Sequence, residues 1–285
     1  MEPHHRRCFG IGPGGFHRQA YVEWDGGVHD APVTLCVHGL TRNARDFDFL
    51  AQDLARDRKV VCADVVGRGD SDWMRDSATY AYPNYVSDMA MLISRLGVEQ
   101  VDWIGTSMGG LIGMMLAASP DAPVRKMVLN DVGPFIPKAA LQRIATYLAM
   151  TFEFESLDDI EAHLRKVHEP FGPLTDAQWR HMAVHSSREE GGKWRLHYDP
   201  AIAEPILAAE LQDVILWFIW DAIKCPVLVI RGEYSDILPA DTAHEMTQRG
   251  PKADLITIPG VGHAPALMAE DQIAAIREWL DDGDG

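Results

Sequence analysis

Short apolar, β-branched runs that end in glycine- or aspartate-marked turns, each followed by a stretch of helical periodicity, leave this chain few possible architectures. Residues 33–37 form one such run, ending at His38 and Gly39, and residues 59–63 form another, ending at Asp64 and a glycine-rich turn. Between them Phe47, Leu50, Ala51 and Leu54 recur at i, i+3, i+4 and i+7, which lays an apolar stripe on one helix face. The unit repeats, with Asn84 read as the N-cap of a helix whose apolar face is Tyr85, Met89, Leu92, Ile93 and Leu96, before a strand at 101–104. Further strands are read at 126–129, 227–230 and 254–258, and Ile273, Ile276, Trp279 and Leu280 mark a closing helix. Alternation of this kind predicts an α/β fold, a mostly parallel central sheet with helices on both faces.

One stretch interrupts the alternation. Residues 134–222 carry helical periodicities (Leu141, Ile144, Ala145, Leu148; Leu211, Val214, Ile215, Phe218) and no convincing strand. The expected division is therefore a core of residues 1–133 and 223–285 with an inserted helical cap at 134–222. The cap holds Trp179, Trp194, Trp217 and Trp220 with Phe152, Phe154 and Met182, some of which should line a pocket beneath it.

Composition excludes several classes. Twenty-six basic against forty-two acidic side chains give 26 − 42 = −16, a charge that repels nucleic acid and anionic membranes. The cysteines, Cys8, Cys36, Cys62 and Cys225, have no zinc-ligand spacing and read as buried thiols of a reducing compartment. No metal site is expected, and His4 and His5 read as solvated. No apolar stretch approaches about 18 residues, and the N-terminal segment lacks a signal-peptide h-region, so a cytoplasmic protein is expected.

The chemistry concentrates at three loops. Gly105, Thr106, Ser107, Met108 and Gly109 spell G-x-S-x-G between a strand and a helix, a turn sharp enough to expose the serine hydroxyl and to need glycine on either side. His263 lies in a glycine-rich loop after the last strand and before the final helix, where it can serve as general base. Asp236 follows the strand at 227–230 and is taken as the acid that orients the histidine, with Asp131 and Glu233 as rivals at strand ends.

With His38 and Gly39, the 64–71 turn, the G-x-S-x-G motif, Asp236 and His263 in that order, the chain resembles the α/β-hydrolase superfamily over nearly its whole length. The chain order Ser107, Asp236, His263 is the one expected for that fold. The resemblance implies acyl transfer through Ser107, with the backbone N–H groups of Leu40 and Met108 as the oxyanion hole and no cofactor. Serine at the elbow argues against dehalogenase or epoxide hydrolase chemistry, so the implied partner is a small acyl substrate. Carboxylic esters come first, and lactones or carbon–carbon cleavage of a diketone use the same residues. A catalytically silent ligand receptor is the alternative of another class.

Overall fold

The computed structural model describes residues 1–28, 31–150 and 152–282. Eight strands form its main sheet: β1 (His4–Gly12), β2 (Gly15–Asp25), β3 (Val33–Val37), β4 (Lys59–Ala63), β5 (Val101–Thr106), β6 (Val124–Asn130), β7 (Val227–Gly232) and β8 (Asp254–Ile258). They lie in the order β1-β2-β4-β3-β5-β6-β7-β8. The pairs β1–β2 and β2–β4 are antiparallel and the rest parallel.

Side chains alternate between two apolar layers, as a sheet covered on both faces requires. Cys36, Val60, Cys62, Ile104, Val128 and Ile230 face one layer, which buries Phe47, Leu50, Ala51 and Leu54 of the α1 region (Asp48–Leu54) and Ile276 and Leu280 of α8 (Glu270–Asp281). Leu35, Val37, Val61, Trp103, Met127 and Leu129 face the other, against α2 (Tyr82–Leu96), α3 (Met108–Ala117) and α7 (Ala240–Met246). The chain steps from β3 outward to β4, then crosses back to β5 on the other side of β3. That reversal opens a crevice outside the carboxyl ends of β3 and β5, where doubly wound sheets bind ligands.

Three local expectations are corrected. Asn84 lies inside α2 rather than at its N-cap, because Pro83, which tolerates the first turn, lets the helix begin at Tyr82. Asn84 instead donates its Nδ2 hydrogen to the Thr79 carbonyl. The N-terminal residues, for which no element is read above, form the β1–β2 hairpin that extends the sheet by two antiparallel strands. In the segment between β6 and β7, α4 (Lys138–Leu148) stands where the first periodicity places a helix, and α5 (Leu157–Val167) and α6 (Asp176–His185) form without one being read. The second periodicity, Leu211 to Phe218, is not a helix, since Val214–Ile215 is a strand and only Trp217–Trp220 is helical, and other strands also occur. Ser187–Glu190 pairs with Lys193–Leu196, and Val214–Ile215 pairs with Phe135–Ile136.

The hairpin is tied to α2 by a buried ion pair, His17 Nε2 to Asp88 Oδ1 at 2.9 Å. The hydrogen bond to Asp88 raises the His17 pKa above its ordinary 6.5. A raised histidine pKa stabilises the fold fully below the unfolded value and loses that contribution as pH rises through the folded value. The melting temperature of the wild type should therefore fall more between pH 6 and 9 than that of His17→Gln. Parallel pH profiles for the two proteins in thermal melts would reject the pair as a stabilising contact.

Candidate active site

Ser107 sits at the turn between β5 and α3 with φ of 51° and ψ of −112°, a strained conformation that aims its side chain out of the sheet. The turn is tight enough that a Cβ on Gly109 would lie 2.0 Å from the Val37 carbonyl oxygen. One on Gly105 would lie 2.5 Å from that of Gly109. The glycines flanking the serine are thus a packing requirement of the bend.

His263 reaches the serine. Its Nε2 lies 3.0 Å from Ser107 Oγ, and its Nδ1 lies 2.8 Å from Asp131 Oδ2. An Nδ1 hydrogen donated to Asp131 leaves the Nε2 lone pair facing the serine hydroxyl, ready to take its proton. The loop that carries the imidazole is held from three sides. Gly262 N–H donates to the Pro170 carbonyl (2.7 Å), Asn130 Nδ2 to the Pro265 carbonyl (2.9 Å), and Gly260 N–H to Glu233 Oε2 (2.8 Å).

The acid expected at Asp236 is not the one that meets the histidine. Asp131 directly follows β6, is fully buried, and donates its own N–H to the Ile230 carbonyl at 2.7 Å. Its second oxygen accepts the Gly232 N–H at 2.8 Å. The end of β7 thus supports the carboxylate through its backbone, while Asp236 is carried outward on a turn. There Asp236 is 45% exposed and its two oxygens accept Arg143 Nε and a terminal N–H at 2.6 and 2.8 Å. Glu233, the other rival, clamps the histidine loop.

The residues read as oxyanion donors lie beside the serine. Gly39 is close-packed on it, a Cβ there falling 3.8 Å from Ser107 Cβ, and Leu40 lines the same cavity. Met108 opens α3, so its N–H has no partner within the helix. His38 fixes this loop: its Nδ1 hydrogen goes to the Gly39 carbonyl (2.7 Å) and its Nε2 accepts the Val65 N–H (2.9 Å). Burial pushes its pKa down to about 3, so it works as a neutral clip between the ends of β3 and β4.

Above Ser107 opens a cavity of about 780 Å³ whose lining includes Arg42, Arg143, Tyr147, His168, Phe171 and Tyr234. None of Trp179, Trp194, Trp217, Trp220, Phe152 and Phe154 borders it, contrary to the expectation for the cap aromatics. Trp179 and Trp220 are buried in the core instead, where their area is more useful as packing than as a wall. His168 is buried beside Arg42, and burial followed by that guanidinium holds its pKa well below 6.5, which favours a neutral imidazole in the cavity wall.

Outside the cavity Asp48, His181 and His185 come close enough together to hold a metal ion. Asp48 Oδ2 is already taken by Arg45 Nε at 2.7 Å, and His181 Nε2 lies 3.0 Å from the Arg45 carbonyl oxygen. These contacts make the cluster a polar tie between α6 and α1. Among the described residues Cys8, Cys36, Cys62 and Cys225 are free thiols, and no helix is long and apolar enough to cross a membrane.

A family model described as "Alpha/beta hydrolase family" matches residues 34–276. The chain belongs to the alpha/beta hydrolase family. This hydrolase is 46% identical over 279 residues to the 3-hydroxybutyrate-oligomer hydrolase of Cupriavidus necator, with 95% of each chain covered. It is 26% identical over 270 residues to the esterase YbfF of Escherichia coli, covering 89% of this chain and 94% of the other. A solved alpha/beta hydrolase of Novosphingobium aromaticivorans superposes with a TM-score of 0.88 at 39% identity, covering 98% of both chains. The sheet described above is the alpha/beta-hydrolase sheet, and the enzyme is a hydrolase.

Sequence reasoning named Leu40, Ile144 and Leu148 of the cavity lining but missed other residues that shape it. Arg143 lies on the exposed face of a helix, and His168 and Phe171 lie in a turn without motif; no local pattern distinguishes them from surface residues. The acid was within reach, since Asp131 ends a strand as Asp236 nearly does, but spacing says nothing about which carboxylate turns inward.

Proposed function

We propose that this hydrolase cleaves carboxylic esters through Ser107, His263 and Asp131, by way of an acyl-enzyme. The observation that carries the reading is the hydrogen-bonded line from Asp131 through the imidazole to the serine hydroxyl. In the first step His263 Nε2 takes the Ser107 proton as Oγ bonds to the carbonyl carbon. The carbonyl π electrons move to oxygen, where the Leu40 and Met108 N–H groups hold the charge. The proton then passes to the departing alkoxide as its bond to carbon breaks. In the second step water, deprotonated by the same imidazole, releases the acid and restores the hydroxyl. Asp131 keeps its negative charge throughout and stabilises the imidazolium.

The substrates we assign are short linear esters of hydroxy acids. What supports this is the likeness to an enzyme named for 3-hydroxybutyrate oligomers, together with a cavity large enough for a short oligomer. The line of three side chains, complete and buried at its acid end, weighs against a silent receptor. The test compares 3-hydroxybutyrate dimer and trimer with nitrophenyl esters, lactones and ring-cleavage diketones on the unlabelled enzyme, and treats a separate sample with a fluorophosphonate. The expected result is stoichiometric labelling at Ser107 and the highest kcat/KM on the oligomers. Labelling with a preference for lactones or diketones would keep the nucleophile and overturn the substrate; a folded protein that never labels would overturn both.

A further inference from the structure

Arg68, in the middle of the 64–71 turn, is fully buried. Its Nε donates to the Leu40 carbonyl at 2.8 Å and one terminal nitrogen donates to the Val66 carbonyl (2.8 Å) and the Tyr85 hydroxyl (3.1 Å). The other terminal nitrogen faces Met108 Sδ at 3.7 Å. The guanidinium carbon lies 5.6 Å from the Tyr80 ring centroid and 5.4 Å from that of Tyr85. Among the described residues no carboxylate pairs with it, and the Tyr80 hydroxyl is given to Asp199.

A buried cation without a counter-ion is costly, and an apolar side chain of similar volume would ordinarily serve the fold as well or better. What this cation touches explains its place. It holds the Leu40 carbonyl and the Met108 sulfur, on the two residues whose N–H groups form the oxyanion hole in the reading above. One lies in the turn after β3 and the other at the start of α3, and they must hold their relative position closely. A full positive charge in contact with both residues, in surroundings of low dielectric, also favours the negatively charged tetrahedral state over the neutral ester. Turnover gains from such a charge, whereas binding of the uncharged ester does not.

We propose that Arg68 is a positioning residue for the oxyanion hole, holding the turn and the helix start that carry its two donors and placing a permanent cation beside them. The proposal rests on the serine-hydrolase reading. The test uses the whole protein with Arg68→Lys (charge kept), Arg68→Gln (some donors kept) and Arg68→Met (volume kept). It measures kcat and KM on nitrophenyl butyrate and the Ki of an alkyl trifluoromethyl ketone, which forms a charged adduct with an active serine. Arg68→Gln and Arg68→Met should lose about 10–100-fold in kcat, the range for weakening an oxyanion donor, with KM within about twofold. Arg68→Lys should lose less than about tenfold. In every variant that folds, ketone affinity should fall in step with kcat. A residue serving stability alone would lower the melting temperature and leave kcat and Ki of the folded protein at wild-type values, overturning the proposal. So would a kcat that falls while Ki stays. A wild-type protein that the ketone does not inhibit would instead overturn the serine-hydrolase reading beneath it.

Discussion

Ser107→Ala is expected to lower kcat by about 10⁶, because the variant lacks the atom that bonds to the acyl carbon and no neighbour can replace it. The residual rate should come from the oxyanion donors and from substrate held in the cavity, with water as the attacking group. KM should change little, since the hydroxyl contributes little to ground-state binding. The fold should persist: the strain at φ of 51° is tolerated by alanine as by serine, and the Ser107 N–H bond to the Asn130 carbonyl at 3.0 Å belongs to the backbone. Steady-state and single-turnover rates on a nitrophenyl ester check this. A variant within tenfold of the wild type would mean that another group carries the chemistry.

The second large effect separates two aspartates. Asp131→Asn should leave the backbone ties at Ile230 intact while presenting an amide to His263 Nδ1. An amide nitrogen there can donate, favouring the tautomer with hydrogen on Nε2 and removing the lone pair that the Ser107 proton needs. The expected loss in kcat is about 10⁴. Asp236→Asn breaks a pair whose partners are 45% and 55% exposed, an interaction of about 0–1 kcal/mol, and kcat on a small ester should stay within a few-fold. Measuring both variants at one pH on one substrate decides the matter. An inactive Asp236→Asn beside an active Asp131→Asn would return the acid to the later strand.

The contrast between these aspartates shows what sequence can and cannot carry. The sheet was legible because its signals are local: residues 33–37, 59–63 and 254–258 are strands to the residue, and the α1 stripe of Phe47, Leu50, Ala51 and Leu54 is buried as its spacing requires. The serine turn was legible for the same reason, its glycines being dictated by clashes within a few residues. The orientation of a carboxylate is not local. Asp131 turns inward because Gly232, 101 positions away in the chain, offers its N–H, and Asp236 turns outward toward Arg143 on α4. Similarly, nothing in residues 1–24 announces the β1–β2 hairpin, whose place depends on the free edge of β4.

The bond from Gly262 N–H to the Pro170 carbonyl has a practical corollary for redesign. The turn that supplies Pro170 also supplies His168 and Phe171 to the cavity wall, so reshaping it to admit bulkier acids disturbs the anchorage of the imidazole. Helix α4 also lines the cavity, with Arg143, Ile144 and Tyr147, and its link to the imidazole loop is less direct: Arg143 holds Asp236, and the Tyr234 N–H two residues earlier donates to the Val261 carbonyl at 2.8 Å. Substrate range and proton transfer are thus joined directly at the Pro170 turn and only through an exposed ion pair at α4, which makes Ile144 and Tyr147 the places to vary first.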